Sequence, residues 1–221
     1  MPQTSTETTT EDVQNNPAVG QVAVDWHESE LAEEQQYRAS AYSMLAALLR
    51  EIPEQSLLNQ VAGFAAIDEG GDEMAVAMSL LGLAAEKRSV ESIDEEYHAL
   101  FIGLGRGELV PYASFYLTGF LMEKPLGDLR DDLIRLGFER ASEVHEPEDH
   151  VAALCEVMVM LIQENADIEI QRSFYVQHID SWLDRFFTDM AAAKNAVFYR
   201  AVARFGAAFM GIEKSYLLAE V

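Results

Sequence analysis

Apolar side chains recur at helical spacing along most of the chain, and this periodicity restricts the fold more than any other feature. Val151, Leu154, Met158 and Leu161, for example, follow one another at intervals of three or four residues, which places them on one face of a helix. No run alternates between apolar and polar residues as a half-buried strand would. The sequence therefore predicts an all-α fold, a single helical domain of about nine or ten helices.

Composition separates the N-terminal end from the rest of the chain. Residues 1 to about 25 are rich in Thr, Glu, Gln and Asn and show no apolar period, which predicts a disordered acidic tail. Residues 26–221 carry the helical pattern, and with 49% hydrophobic residues the chain can bury one sizeable core.

The chain is strongly acidic. It has 38 Asp and Glu against 15 Lys and Arg, a formal net charge of −23. Such a chain does not bind a phosphate backbone non-specifically, so no nucleic-acid partner is expected, but it attracts basic peptides. The alternative is that the acidity serves only solubility.

A cytoplasmic location is predicted from two further features. No window approaches the roughly 18 uninterrupted apolar residues of a membrane span, and no secretory n-region or h-region is present. We therefore expect a soluble protein without stable membrane insertion. Cys155 is the single cysteine, which fits a reducing compartment, and its place on an apolar helix predicts a buried thiol.

A polar cluster, residues 145–150, directly precedes the apolar helix. Pro147 suits a first helical position, so the helix is predicted to begin there, with Glu148 and Asp149 in its first turn. The cluster is either a well-capped helix start with incidental histidines or a functional site. A metal site is not expected, because His145 and His150 do not have the spacing of a ligand pair on one helical face.

Caps and breakers predict several other boundaries. A helix beginning near Trp26 should end before Pro53, and a second should run from about Glu54 to Gly70. Asp72 is a predicted N-cap, and Ser92 with Glu95, three residues later, has the pattern of a capping box.

A glycine-rich loop and a lone histidine are further candidate sites. Residues 103–107 have neither the spacing of a dinucleotide-binding loop nor that of a phosphate-binding loop, so they are predicted to form a tight reversal. His178, on an apolar face, is predicted to be a hydrogen-bonded core histidine. Gly137 is expected to end the helix that carries Leu126 to Leu136.

Four short motifs follow one another along the chain. They are EYHALFIG at 96–103, PYASFYL at 111–117, EPEDH at 146–150, and a C-terminal pattern of Phe174, His178, Trp182, Phe186, Phe198 and Tyr199. Together they resemble the TorD/DmsD family of redox-enzyme maturation chaperones, over about residues 35–213. The chain departs from the family pattern at Ser181, where members often carry proline, and at Tyr112, where some members carry tryptophan.

The resemblance implies a cytoplasmic chaperone and not an enzyme. Such a protein binds the twin-arginine signal peptide and the apo form of a molybdopterin oxidoreductase catalytic subunit, assists cofactor insertion, and delays export until loading is complete. The client is left open among trimethylamine oxide, dimethyl sulfoxide, formate and nitrate enzymes. The resemblance implies no cofactor other than weak GTP binding.

It also implies an organisation in two helical lobes. The N-terminal lobe would cover about 26–123, a connector with the hinge about 124–147, and the C-terminal lobe about 148–221. The protein would be a monomer or a domain-swapped homodimer.

Ten residues match the peptide-binding groove and hinge of the family. They are Tyr97, Leu100, Phe101, Pro111, Tyr112, Ser114, Tyr116, Glu146, Asp149 and His150. Our hypothesis is that Glu146 and Asp149 pair with the two arginines and that His150 orients them or donates a hydrogen bond. The segment 97–116 would receive the apolar part of the peptide.

Three other functions are kept as alternatives. The chain could be a plain helical scaffold, or a nucleotide-responsive binding protein without signal-peptide recognition. A metal-dependent hydrolase is a weaker alternative, because it would need a nucleophile or a metal beside the acid and base, and no catalytic or metal-binding residue is predicted.

Overall fold

The computed structural model describes residues 32–67, 70–103, 107–139 and 144–219. Within these ranges the chain forms ten α-helices, and the all-α prediction is confirmed. They are α1 Glu33–Arg50, α2 Gln55–Ala62, α3 Glu73–Glu86, α4 Val90–Tyr97, α5 Ala113–Thr118, α6 Lys124–Leu136, α7 Val151–Gln163, α8 Ile168–His178, α9 Leu183–Ala192 and α10 Phe198–Leu218. A 3-10 turn, Gly63–Ala66, follows α2, and a π-helical turn, His98–Ile102, follows α4.

Some predictions concern residues outside these ranges. The N-terminal tail, Trp26 and the middle of the glycine-rich loop all lie outside the described residues. Leu31–Val221 forms one compact unit. Within the predicted connector, residues 124–136 form α6, and the division into two lobes stays a prediction. Among the described helices, none is long and apolar enough to cross a bilayer.

The core is built on α1 and α7, which pack against each other. Leu45 and Leu49 of α1 and Leu154 and Met158 of α7 are almost completely buried. Cys155 lies among them as a free, buried thiol, as predicted, and burial raises its pKa well above the usual value.

A buried ion pair ties the first helix to the last. Arg38 Nε and Nη2 of α1 donate to the two carboxylate oxygens of Glu213 on α10, at 2.8 and 2.6 Å. Two more groups complete the network: Tyr42 Oη donates to Glu213 at 3.0 Å, and Arg38 Nη1 donates to Gln171 of α8 at 2.7 Å. The charges are thus paired and hydrogen-bonded, which a buried ion pair requires.

A second buried carboxylate caps the N-terminus of α10. Both oxygens of Glu96, a buried residue of α4 and the first of the EYHALFIG motif, accept backbone N–H groups at the start of α10. The donors are Val197, Phe198 and Tyr199, at 2.7, 3.0 and 2.7 Å. These N–H groups have no acceptor within the helix, and the carboxylate also faces the positive end of the helix.

The helix predicted to begin at Pro147 begins at Val151, so that prediction is wrong. Its N-cap, His150, is extended, with φ −65° and ψ 139°. The reason is tertiary: the backbone around His150 pairs with the segment 111–113. The residues before Val151 therefore form a turn.

Two other helix boundaries differ from those predicted. The N-cap of α4 is Ser89, not Ser92, because the Ser89 hydroxyl accepts the Ser92 N–H (3.3 Å) one turn earlier. The second helix ends at Ala62 instead of Gly70. Gly82 of α3 lies so close to the following 3-10 turn that a Cβ would be 2.2 Å from the Ala65 nitrogen.

The remaining caps agree with prediction. The Asp72 side chain accepts the Met74 N–H and caps α3. Gly137 ends α6 with φ 81°, a left-handed conformation that glycine adopts without steric cost.

Replacing Glu96 by alanine is expected to lower the free energy of unfolding by about 2–4 kcal/mol, because three N–H groups lose a charged acceptor. Glu108 is the matched control, since its exposed carboxylate accepts the N–H groups of Lys194 and Asn195 in the loop before α10. Its alanine variant should lose only about 0.5–1 kcal/mol. Urea unfolding of both variants checks this, and equal losses would contradict the structural role assigned to Glu96.

Candidate functional site

Two of the motifs meet through their backbones. The Ala113 N–H donates to the Asp149 carbonyl at 3.0 Å, and the Val151 N–H donates to the Pro111 carbonyl at 2.9 Å. This short antiparallel pairing joins PYASFYL to EPEDH, and it fixes the start of α5 against the start of α7.

The Asp149 side chain reinforces this junction with one oxygen only. Asp149 is 1% exposed, and its Oδ2 accepts the Ser114 N–H at 2.8 Å. Its Oδ1 and the Ser114 hydroxyl have no hydrogen-bond partner in the described part of the chain. A buried carboxylate oxygen without a donor is costly and rare.

Asp149 lines a cavity of about 240 Å³ between α5, α6, α7 and α8, which we call the Asp149 cavity. Its other lining residues are Ala113, Leu117, Pro125, Asp128, Leu129, Leu154, Gln177 and His178. Asp128 adds a second carboxylate to the wall.

His150 is buried and neutral. Its Nδ1 accepts the Ala152 N–H at 3.2 Å and caps α7, so the ring proton is assigned to Nε2. Nε2 lies 4.0 Å from Glu146 Oε1. Burial lowers the His150 pKa to about 4, which outweighs the opposite effect of the Glu146 carboxylate.

Glu146 is partly exposed and accepts a hydrogen bond from Tyr112 Oη at 2.6 Å. The Tyr112 pKa is raised by burial and by this carboxylate. A second cavity, of about 200 Å³, is lined by Glu146 together with Glu148, Glu156 and Arg50. We call it the Glu146 cavity, and in it Arg50 is already paired with Glu156.

Six of the ten predicted binding residues are buried and four are partly exposed. The buried ones are Tyr97, Leu100, Pro111, Ser114, Asp149 and His150; the partly exposed ones are Phe101, Tyr112, Tyr116 and Glu146. The first motif is part of the core: Tyr97 packs on Phe101 with ring centroids 5.0 Å apart and donates to the Arg50 carbonyl at 3.0 Å. Burial raises the Tyr97 pKa to about 12.

The C-terminal motif packs against the PYASFYL segment. Trp182 packs on Tyr116, with ring centroids 5.3 Å apart, and its indole N–H donates to the His178 carbonyl at 2.8 Å. His178 Nε2 lies 2.7 Å from Asp132 Oδ2, which confirms the prediction of a hydrogen-bonded core histidine. Burial lowers its pKa to about 4.

Among the described residues, no group of three or more His, Cys, Asp or Glu side chains is arranged to hold a metal ion. The absence of a metal site and of a cofactor stays a prediction.

Comparison with known proteins gives the family. A family model described as the nitrate reductase delta subunit matches residues 65–188, a range that contains all ten predicted binding residues. Proteins named Chaperone protein TorD match as well. The one from Photobacterium profundum is 25% identical over 214 residues, covering 83% of this chain and 95% of that protein. The chain belongs to the TorD family of redox-enzyme maturation proteins.

Other comparisons agree. The TorD chaperone of Aliivibrio fischeri is 25% identical over 87% of this chain and 100% of its own length, and that of Aliivibrio salmonicida is 28% identical over 58% and 65%. A crystal structure of a proposed redox enzyme maturation protein from Archaeoglobus fulgidus has a TM-score of 0.52 and 16% identity, covering 81% of this chain and 94% of that one. At this identity the likeness shows the shared fold. The relatives are chaperones, and this TorD-family chain is a chaperone, not an enzyme.

Sequence reasoning missed two contributors to the site. Asp128 enters the Asp149 cavity from α6, and Arg50 enters the Glu146 cavity from the end of α1. Neither belongs to a family motif, and their place depends on helix packing that no local pattern encodes.

His150 is expected to make this TorD-family protein less stable in acid. Between pH 6.5 and 4 the unfolded chain binds a proton at residue 150 that the folded chain does not, so stability is complete above the unfolded pKa and falls as the pH falls. His150→Asn keeps an N-cap acceptor but does not titrate. Between pH 7 and 5, its unfolding free energy should fall by about 2 kcal/mol less than that of the wild type. Urea unfolding at several pH values measures this, and parallel profiles would contradict a neutral His150.

Proposed function

We propose that this protein binds the twin-arginine signal peptide and the apo form of a molybdopterin oxidoreductase catalytic subunit. It holds the precursor while the cofactor is inserted and releases it for export afterwards. The observation that carries the proposal is the second oxygen of Asp149, which is buried, has no partner in the described part of the chain, and belongs to a residue that lines a cavity.

A guanidinium group is the ligand that this cavity favours. An arginine side chain presents several N–H donors in a planar fork and is less strongly hydrated than an ammonium group. It would supply the donor that Asp149 Oδ1 lacks. Asp128 also lines the cavity, where it pairs with Lys124, and it would add a second carboxylate near the guanidinium. A buried carboxylate that is left unpaired destabilises the free protein, so pairing it favours the complex.

The second arginine has an acidic cavity of its own. The segment 146–149 contributes Glu146 and Glu148 to the Glu146 cavity, and Asp149 to the Asp149 cavity. Glu148 already pairs with Arg130, so Glu146 is the carboxylate of this segment that would receive the second arginine. Side chains of consecutive residues in an extended peptide point in opposite directions. A peptide that crosses this segment can therefore direct one arginine into each cavity. The net charge of −23 attracts such a basic peptide from a distance.

Asp149→Asn is expected to weaken binding of the twin-arginine peptide by about 10- to 100-fold, the equivalent of one charged hydrogen bond. The amide oxygen can still accept the Ser114 N–H, so the fold should persist, while the amide NH₂ replaces the free oxygen and no longer attracts a guanidinium. Calorimetric titration measures the affinity. Urea unfolding is the control that the junction of the two motifs is intact.

The titration uses a panel of twin-arginine signal peptides from the four client classes, each beside a version with both arginines changed to lysine. The proposal requires that at least one peptide binds, and that both the lysine change and Asp149→Asn weaken it. A folded protein that binds no peptide of the panel, or an Asn variant that binds as well as the wild type, would overturn this assignment.

A further inference from the structure

The turn between α5 and α6 exposes a group of large apolar side chains. Leu117, Phe120, Leu121 and Met122 fall within six consecutive residues, and all four are exposed, Phe120 by 69% and Met122 by 73%. Single exposed apolar residues are common, but contiguous apolar patches mark interaction surfaces. We call residues 117–122 the apolar turn.

Hydrogen bonds hold the apolar turn in this conformation. The Thr118 hydroxyl donates to the Ser114 carbonyl at 2.7 Å and accepts the Phe120 N–H at 3.2 Å. Gly119 ends α5 with φ 88°, in the left-handed region that glycine adopts readily. The backbone thus fixes the exposure of the apolar side chains.

The apolar turn is continuous with the Asp149 cavity. Leu117 lines that cavity together with Asp149. It also lines a larger cavity of about 590 Å³, together with Phe115 and Thr118 of α5. Helix α5 has six residues and is therefore about 9 Å long. The unpartnered carboxylate lies at its start and the apolar turn at its end.

We infer that the apolar turn binds the hydrophobic segment of the same signal peptide whose arginine occupies the Asp149 cavity. This inference rests on the proposed function. A twin-arginine peptide carries its charges first and an apolar segment after them, and cavity and turn offer the matching chemistry in that order. Tyr97 and Leu100, predicted from sequence to receive the apolar segment, are buried in the core.

Electrostatics favour a basic peptide over an anionic membrane surface as the ligand of the apolar turn. The apolar turn contains no cation that could bind an anionic headgroup, and the protein carries a net charge of −23, which anionic membranes repel. A peptide with arginines beside its apolar segment is attracted by the same charge.

The test combines two variants of the protein with two forms of one peptide. The first variant, F120S/L121S, removes exposed apolar side chains without changing charge. Its matched control is Ile134→Ser. Ile134 lies on α6, is 74% exposed, and lines neither the Asp149 cavity nor the cavity of about 590 Å³. The first peptide is the tightest binder of the panel. The second keeps both arginines but has serine in place of the apolar residues.

F120S/L121S should bind the complete peptide about tenfold more weakly than wild type, because two apolar side chains no longer bury their surface against the peptide. It should bind the serine peptide as the wild type does. Ile134→Ser should match wild type with both peptides, and all variants should have wild-type unfolding midpoints.

Four results would overturn the inference while leaving the proposed function intact. The first is an unchanged affinity of F120S/L121S for the complete peptide, and the second is an equal loss for both peptides. The third is a loss of affinity for the complete peptide in an Ile212→Ser variant and not in F120S/L121S. That result would assign the apolar segment to the groove of about 420 Å³ between α1, α3 and α10. The fourth is a self-association of wild type, seen by sedimentation, that the double variant abolishes without affecting peptide binding. Loss of arginine dependence in the wild type would instead overturn the proposed function itself.

Discussion

The pairing of the backbone at 111–113 with that at 149–151 is the interaction on which the site depends. It holds His150 extended, sets the start of α7 at Val151, and brings Asp149 under the first turn of α5. Because Oδ2 of Asp149 is used for this junction, only Oδ1 is left for another partner. One short piece of tertiary structure thus produces both the rigidity of the site and its unsatisfied polar atom.

Much of the fold could be predicted from the sequence because it depends on local chemistry. Helical periodicity predicted the all-α class, Asp72 and Gly137 marked helix ends, and Cys155 was expected to be buried. The start of α7 could not be predicted, because Pro147 and the acidic residues after it have the signature of a helix N-terminus. Only contact with a segment 36 to 40 residues earlier in the chain prevents a helix from forming there.

The exposure of the predicted binding residues could not be read from the sequence, and their role in binding stays a prediction. The motifs drew attention to EPEDH and PYASFYL, and the structure brings these two segments together. Exposure is a property of packing: Tyr97 contacts α10 through Tyr199, and Glu96 caps that helix, so the first motif supports the fold. The apolar turn has no special pattern in sequence, since leucine, phenylalanine and methionine there look like any core segment.

His150 does not reduce the acidic character of the segment 146–149. His150 is neutral because it is buried, so near neutral pH it adds no positive charge between the two cavities. Arg50 is engaged by Glu156. Arg130 pairs with Glu148, and Lys124 pairs with Asp128. The negative potential that a strongly basic ligand would meet at residues 146–149 therefore comes mainly from Glu146 and Asp149.

The burial of Cys155 has a practical consequence. It is the one cysteine of the sequence, and its buried thiol, with a raised pKa, forms little of the thiolate that alkylating reagents attack. A cysteine introduced at an exposed position would then be the reactive one, so spectroscopic labels could be attached to chosen helices while the native residue stays in place. The motions of this chaperone can thus be followed in a protein whose core is unaltered.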